Sequence, residues 1–143
     1  MKKVELFSDG SCLGNPGAGG WGTILRFGIK EKELSGSQEN TTNNQMELLA
    51  VIKGIEALKT PCDVQIYSDS SYVVKGINEW LVGWVKKNWK NSAKKDVKNQ
   101  DLWKQYLEVS KIHRVKANWV KGHSGHPENE RCDVLARDQA ESL

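Results

Sequence analysis

Apolar and polar positions follow two periods along this chain. Early on they alternate in short runs: Val4-Glu5-Leu6-Phe7 reads as a strand ending in Ser8-Asp9-Gly10-Ser11, Gly20 to Phe27 as a second, and Lys32-Glu33-Leu34-Ser35 as a third. Turns rich in glycine and charge separate these runs, so an antiparallel meander is the simplest connection. The period then lengthens. Thr41-Thr42-Asn43-Asn44 supplies capping residues for a helix running to about Lys59, with Thr42 and Gln45 spaced as a capping box. Leu48, Val51, Ile52, Ile55 and Leu58 form its apolar face. Pro61-Cys62-Asp63 ends it, and Val64 to Tyr67 reads as a strand arriving at Ser68-Asp69-Ser70.

Beyond this point a short helix is expected from Ser71 to about Asn78, capped by Asp69 or Ser70. Residues 80–98 are aromatic and basic without a clean period. Residues 101–110 read as a helix, Ile112 to Val120 as a strand, and Lys121 to His126 as a loop. Pro127 suits the first turn of a last helix, with Glu128 and Glu130 near its positive end and Cys132, Leu135, Ala136 and Ala140 as its stripe. Three strands followed by helix–strand–helix–strand–helix predict a single mixed α/β domain over residues 1–143, not a repeat architecture.

Composition narrows the class. An apolar fraction of 38% and a charged fraction of 27% suit a folded domain rather than a disordered chain. No run approaches a bilayer-spanning length, and Met1-Lys2-Lys3 leads straight into strand-like sequence, so a cytoplasmic, non-membrane monomer is expected. Cys12, Cys62 and Cys132 have no metal-knuckle spacing and read as reduced thiols. The net charge of +3 is unevenly placed: residues 80–98 hold six lysines against one aspartate, leaving the rest slightly acidic. Such a segment is either a docking surface for a polyanion or a solvated lysine-rich loop.

The candidate chemistry is carboxylate. Asp9 lies within or just after the first strand, where aspartate is poor material, and Asp69 occupies the equivalent place after Val64–Tyr67. If these strands neighbour one another in parallel, the two acids converge at the sheet's carboxyl end, the usual place for a ligand. At roughly 100° per residue, Glu47 points within about 40° of Val51 and about 20° of Leu58, close to the buried stripe. A carboxylate there asks for a cation. Asp133 flanks the apolar face of the last helix in the same way. Each residue also has a plain structural reading: Asp9 a turn residue, Asp69 a cap, Asp133 a solvated side chain, Glu47 a partner of a buried base. Together, and without a His/Cys cluster, they fit Mg²⁺ or Mn²⁺, and two such ions roughly 4 Å apart suit phosphodiester hydrolysis.

Gly14-Asn15-Pro16-Gly17-Ala18-Gly19-Gly20 lacks the lysine and helix of a phosphate loop, and is either a flexible turn or a backbone lying close to a ligand. In the second case Asn15, Asn43 and Asn44 can meet sugar hydroxyls or base edges. In the basic segment, Trp80 and Trp84 are expected to pack a small satellite core that holds Lys86, Lys87, Lys94 and Lys95 outward toward phosphates. His123, between two loop residues shortly before the Asp133 helix, suits proton transfer or product departure beside a metal cluster.

Ser8-Asp9-Gly10-Ser11-Cys12-Leu13-Gly14-Asn15-Pro16-Gly17, Thr41-Thr42-Asn43-Asn44-Gln45-Met46-Glu47-Leu48, Ser68-Asp69-Ser70 and the run from Trp119 to Asp133 also carry a resemblance. Along essentially its full length the chain resembles bacterial type 1 ribonuclease H. That resemblance implies a five-stranded mixed sheet with strands 1–3 antiparallel, flanked by helices. It implies a nuclease that cuts the RNA strand of RNA–DNA hybrids with Mg²⁺ (Mn²⁺ substituting), leaving 5′-phosphate and 3′-hydroxyl ends. Asp9, Glu47, Asp69 and Asp133 become the metal ligands, with Asp9 bridging, and His123 an aid to turnover. Cys12, Asn15, Asn43 and Asn44 fall on positions meeting the hybrid near the sugars, Thr42 on a DNA-phosphate contact, and the Trp/Lys segment on a basic protrusion that grips the hybrid. Ser71 stands where the family often has glutamine, which puts one substrate contact in doubt. The chain ends at Leu143 without the longer tail of some relatives, an expected effect on stability more than activity. Two other readings, a DNA nuclease on the same scaffold and a binding module without catalysis, leave the Asn15 and Asn43–Asn44 match and the orientation of Glu47, respectively, without a reason.

Overall fold

The alternation of the first segments extends beyond their apolar residues. In a computed structural model that describes residues 1–122 and 126–143, β1 runs Lys2–Gly14, β2 Gly17–Phe27 and β3 Lys30–Thr41, an antiparallel meander. β3 is far longer than Lys32–Ser35 because it is an edge strand: most of its residues are exposed, so its pairing to β2 needs no apolar alternation. β4 (Cys62–Ser68) and β5 (Arg114–Trp119) add in parallel on the other side of β1, giving the order β3-β2-β1-β4-β5.

One face of this sheet carries α1 (Asn43–Glu56). Thr42 and Gln45 form the expected capping box, and the helix ends at Glu56, three residues before Lys59. Val4, Leu6, Val64 and Ile66 from the strands meet Leu48, Val51, Ile52 and Ile55 in a core that is essentially inaccessible to water. Burying aliphatic side chains of this kind contributes about 1.5–3 kcal/mol each before entropy is set against it. Leu58 joins this core from beyond the helix end.

The opposite face carries α5 (Pro127–Glu141), entered through His126 with Pro127 in the first turn. Phe7, Ile24 and Cys132 pack together there. Arg131 reaches Glu31 and Glu33 on β3, while Arg26 on β2 joins Glu5 to Glu128. These half-exposed pairs are individually weak but fix how the helix lies across three strands.

Between β4 and β5 the chain is more helical than its pattern suggests. α2 (Ser71–Lys75) is capped by Ser70, whose Oγ accepts from Val73 N at 3.2 Å, so Ser70 and not Asp69 supplies the cap. A π-helical turn (Gly76–Trp80) and α3 (Leu81–Lys86) continue it, and that turn is what breaks the 3.6-residue period. The Asn78 side chain lies along the open edge of β5, donating to Ala117 O at 2.9 Å and accepting from Ala117 N at 3.4 Å. After a short Lys90–Asp96 bridge, α4 (Gln100–Ser110) closes the region. No helix among the described residues is long and apolar enough to cross a membrane.

Candidate active site

Asp9 lies inside β1, not at its end. The parallel ladder of β1 and β4 runs as far as Phe7 and Tyr67, whose rings stack at 5.3 Å. Two residues further along β1 comes Asp9, and two residues after Tyr67, just past the end of β4, comes Asp69. The convergence expected from parallel neighbours is therefore a matter of register.

Glu47 arrives from the other side by close approach. A β-carbon at Gly10 would stand 2.5 Å from Glu47 N, so only glycine lets α1 cross β1 at that level. The oxygens of Asp9, Glu47 and Asp69 can all lie within 4.8 Å of one another. Glu47 is 5% exposed and its Oε1 has no hydrogen-bond partner. A buried acceptor without a partner costs about 1–3 kcal/mol, and more when charged. An oxygen-only cluster of this kind meets the needs of a hard divalent cation.

The electrostatics agree. Burial pushes the Asp9 carboxyl up to about 7; Asp69 and Asp133 add to the rise, while a hydrogen bond with Glu47 and the Gly10 amide oppose it. Glu47 is held well above the usual carboxylate range by burial first and by the charge of Asp9 second. A cation among them would reverse both effects.

Asp133 joins through α5. A β-carbon at Gly20 would collide with Ala136 O, and one at Gly22 would stand 2.6 Å from Cys132 O. Since Gly22 pairs with Asp9, the glycine face of β2 seats α5 directly beside the cluster. Asp133 lines the same cleft as Asp9 and Asp69, with Oδ2 3.2 Å from Arg137 Nε. Gly20, the last of the glycines read as a flexible turn or a ligand approach, is thus a seat for a helix.

The cleft contains residues that sequence reasoning passed over. Lys121, Asn129 and Glu130 line it. Asn129 Nδ2 donates to Tyr67 O at 3.0 Å, tying α5 to the end of β4. Its position four residues before Asp133 is a helical spacing that could have revealed it. His126, which also lines the cleft, is the N-cap residue of α5. His113 is structural: its Nδ1 accepts from Cys62 N at 3.0 Å. His123 lies outside the described residues.

The remaining candidates fall into two groups. Asn15 Oδ1, from the β1–β2 turn, accepts from Asn43 N at 3.2 Å, and Thr42 Oγ1 accepts from Gln45 N while retaining its own proton for donation. Asn44 is exposed beside them, and Cys12 Sγ contacts Thr41 O at 3.3 Å. The second group is the Trp/Lys segment. Lys86, Lys87, Lys94 and Lys95 are exposed. The expected satellite core does not form as a separate body: Trp89 and Trp103, both buried, belong to the main core with Leu48, Val51 and Ile55, Trp84 packs half-buried against it, and Trp80 is 37% exposed with its ring against Tyr72 and Trp84. Ser71 is exposed in the first turn of α2.

A family model described as RNase H matches residues 1–141. A ribonuclease H of Campylobacter concisus is 61% identical over 140 residues, covering 98% of this chain and 94% of that relative. One of Novosphingobium aromaticivorans is 56% identical, covering 98% of both. Among solved structures, LC9-RNase H1, described as a type 1 RNase H with the type 2 active-site motif, superposes with a TM-score of 0.89 at 30% identity, covering 99% of this chain and 74% of that one. Motifs, sheet order and acidic cluster thus meet in one assignment: the chain belongs to the ribonuclease H family.

Proposed function

We propose that this protein hydrolyses the RNA strand of RNA–DNA hybrids, internally, leaving 5′-phosphate and 3′-hydroxyl ends. The observation that carries the reading is the Asp9–Glu47–Asp69 cluster, with Glu47 buried and its Oε1 unpartnered, in a chain of this family. Mg²⁺, two ions in the active state with Mn²⁺ able to substitute, would be held by Asp9, Glu47, Asp69 and Asp133. When bound, the metal supplies a lowered water pKa and charge stabilisation at the phosphate.

The chain's own residues divide the remaining work. Gly10 of β1 lets α1 bring Glu47 to one wall of the cluster, and Gly20 and Gly22 of β2 seat α5, tied by Asn129, against the other. Asn15, Asn43 and Asn44 are assigned to the sugar and base edges, where a 2′-hydroxyl separates RNA from DNA. The Thr42 hydroxyl donates its remaining proton to a phosphate oxygen, Cys12 flanks the same surface, and His123 assists proton movement or product departure. Trp80 and Trp84 present aromatic faces and Lys86, Lys87, Lys94 and Lys95 meet phosphates without reading sequence. A monomer working in the cytoplasm, where hybrids arise as primers and transcription by-products, completes the proposal.

End-labelled RNA–DNA, RNA–RNA and DNA–DNA duplexes incubated with the protein, with Mg²⁺ or with EDTA, test it. The expected result is cutting of RNA in the hybrid alone, abolished by EDTA and in Asp9→Asn. Cleavage that survives EDTA, or that favours either homoduplex, overturns it.

A further inference from the structure

Trp119 is the last residue of β5 and stands 57% exposed, although tryptophan is highly buried on average. Burial of the ring accounts for little of its placement. Its polar tip is committed instead: the indole Nε1 donates to the backbone carbonyl of Asp69 at 3.0 Å. The exit of the same strand meets Asp69 a second time. A β-carbon at Gly122 would stand 2.8 Å from Asp69 Oδ2, so glycine lets the backbone lie close against the carboxylate. Residues from one short stretch, Trp119 to Gly122, thus touch Asp69 at its main-chain oxygen and at its acid.

Asp69 differs from the other three acids in what surrounds its backbone. Asp9 lies inside β1, Glu47 inside α1 and Asp133 inside α5, where regular hydrogen bonding orients each of them. The β4–β5 ladder ends at Ser68, which pairs with Trp119, and Val120 N donates to Ser68 O at 2.9 Å. α2 begins at Ser71, capped by Ser70. Asp69 falls in the step between, in neither strand nor helix. The carbonyl that Trp119 holds belongs to the peptide joining Asp69 to Ser70. Fixing that plane restrains the backbone from which the carboxylate projects. A misplacement of about 1 Å at a reacting centre can cost about a hundredfold in rate.

We infer that Trp119 is a positioning residue for Asp69, its indole N–H holding the main chain while the Gly122 backbone bounds the carboxylate. The inference rests on Asp69 being a metal ligand, as proposed above. β5 thereby takes part in the site while contributing no acid to it. Groups that hydrogen-bond to metal ligands without touching the metal commonly govern affinity by about 10- to 100-fold.

The test is calorimetric titration of the substrate-free protein with Mg²⁺, alongside melting curves in EDTA. Trp119→Phe keeps an aromatic ring over the groove lined by Ser71, Val74 and Lys75, and removes the N–H. Mg²⁺ affinity is expected to fall about tenfold, while the melting temperature moves by less than about 3 °C. In cleavage assays kcat should drop at limiting Mg²⁺ and recover as Mg²⁺ is raised, with KM for the hybrid within about twofold of the unmodified value. Gly122→Ala approaches from the other side. Its methyl meets the free end of the Asp69 side chain, so the carboxylate is what gives way, and Mg²⁺ affinity should fall with the melting temperature held. Because both changes displace one carboxylate, together they should cost less than the product of their separate losses. Unchanged Mg²⁺ affinity in Trp119→Phe overturns the inference, whatever its melting temperature. So does a loss confined to KM, which would make the ring a hybrid contact, and so do losses that simply multiply. An unmodified protein that binds no Mg²⁺ would sink the functional proposal itself, a result distinct from equal binding by the two forms.

Discussion

The acidic cluster and the Trp/Lys segment are built on opposite principles. The cluster is assembled from β1, α1, β4 and α5, brought together by register and by the absence of side chains at Gly10, Gly20 and Gly22. Its members repel one another and lie partly out of water, so without a cation the site opposes the fold that makes it. The Trp/Lys segment draws its lysines from one stretch of chain and roots them in the main core. Trp84, Trp89 and Trp103 give it an apolar interior close to the residues that carry its lysines, and those lysines remain in water where their charge costs little. A site for chemistry needs groups that water would separate; a site for docking needs groups that water leaves alone.

Glu47→Gln should break this contrast most sharply. Cleavage is expected to fall by about a thousandfold, in line with the loss of a group aimed at developing charge in a closed site. Without metal the same protein should melt about 3–6 °C higher, since a neutral amide relieves burial and repulsion worth about 1–2 kcal/mol. Paired activity assays and EDTA melting curves decide it; a lower metal-free melting temperature would show that Glu47 is held by an unseen cation of the protein.

Gly20→Ala comes next. The added methyl collides with Ala136 O and must displace α5, an overpacking cost of about 1–3 kcal/mol. Calorimetric titration with Mg²⁺ should show weakened affinity, because Asp133 moves with the helix. Affinity equal to that of the unmodified protein would detach Asp133 from the cluster.

Neutralising Lys86, Lys87, Lys94 and Lys95 together should lower hybrid affinity at least about tenfold in low salt and make the plot of log affinity against log salt shallower by about 3. Metal affinity and melting temperature should hardly move. A loss of stability here would contradict the view that these lysines serve docking and not the fold.

The smallest effect concerns pH. Asp9 and Glu47 have raised pKa values in the fold, so the folded chain holds more protons than the unfolded one from about pH 4 to about pH 7. Their contribution is fully present below the unfolded values and is lost as pH rises through that window. Metal-free protein should therefore lose a few degrees in melting temperature between pH 5 and pH 8, and Mg²⁺ should flatten the curve. Melting curves in EDTA that rise with pH would remove this account.

Much of this was legible from residues alone, for identifiable reasons. The orientation of Glu47 needed only the helical repeat, and the placing of Asp69 just after a strand needed only alternation, whereas β1 runs on past Asp9 to Gly14 through residues with no apolar pattern. The true length of β3 was hidden because an exposed edge strand carries no apolar pattern. The run from Ser71 to Lys86 was hidden because a π-helical turn resets the period. Asp133 joined the other acids through family resemblance rather than geometry. The glycine spacing of β2 that seats its helix has meaning only once α5 is known to cross there. Asn129 and the Trp119 bond to Asp69 depend on contacts between distant segments, which no local pattern encodes.

The amide of Asn78 lies along β5 as a single residue of a neighbouring strand would, filling the N–H and C=O of Ala117. A sheet with an unfilled border invites another copy of itself to add a strand there. One side chain set by a helical turn thus interrupts the β5 border, on which a second strand could otherwise add. The helical turn that follows α2 caps a position on this border as well as leading into the Trp/Lys segment.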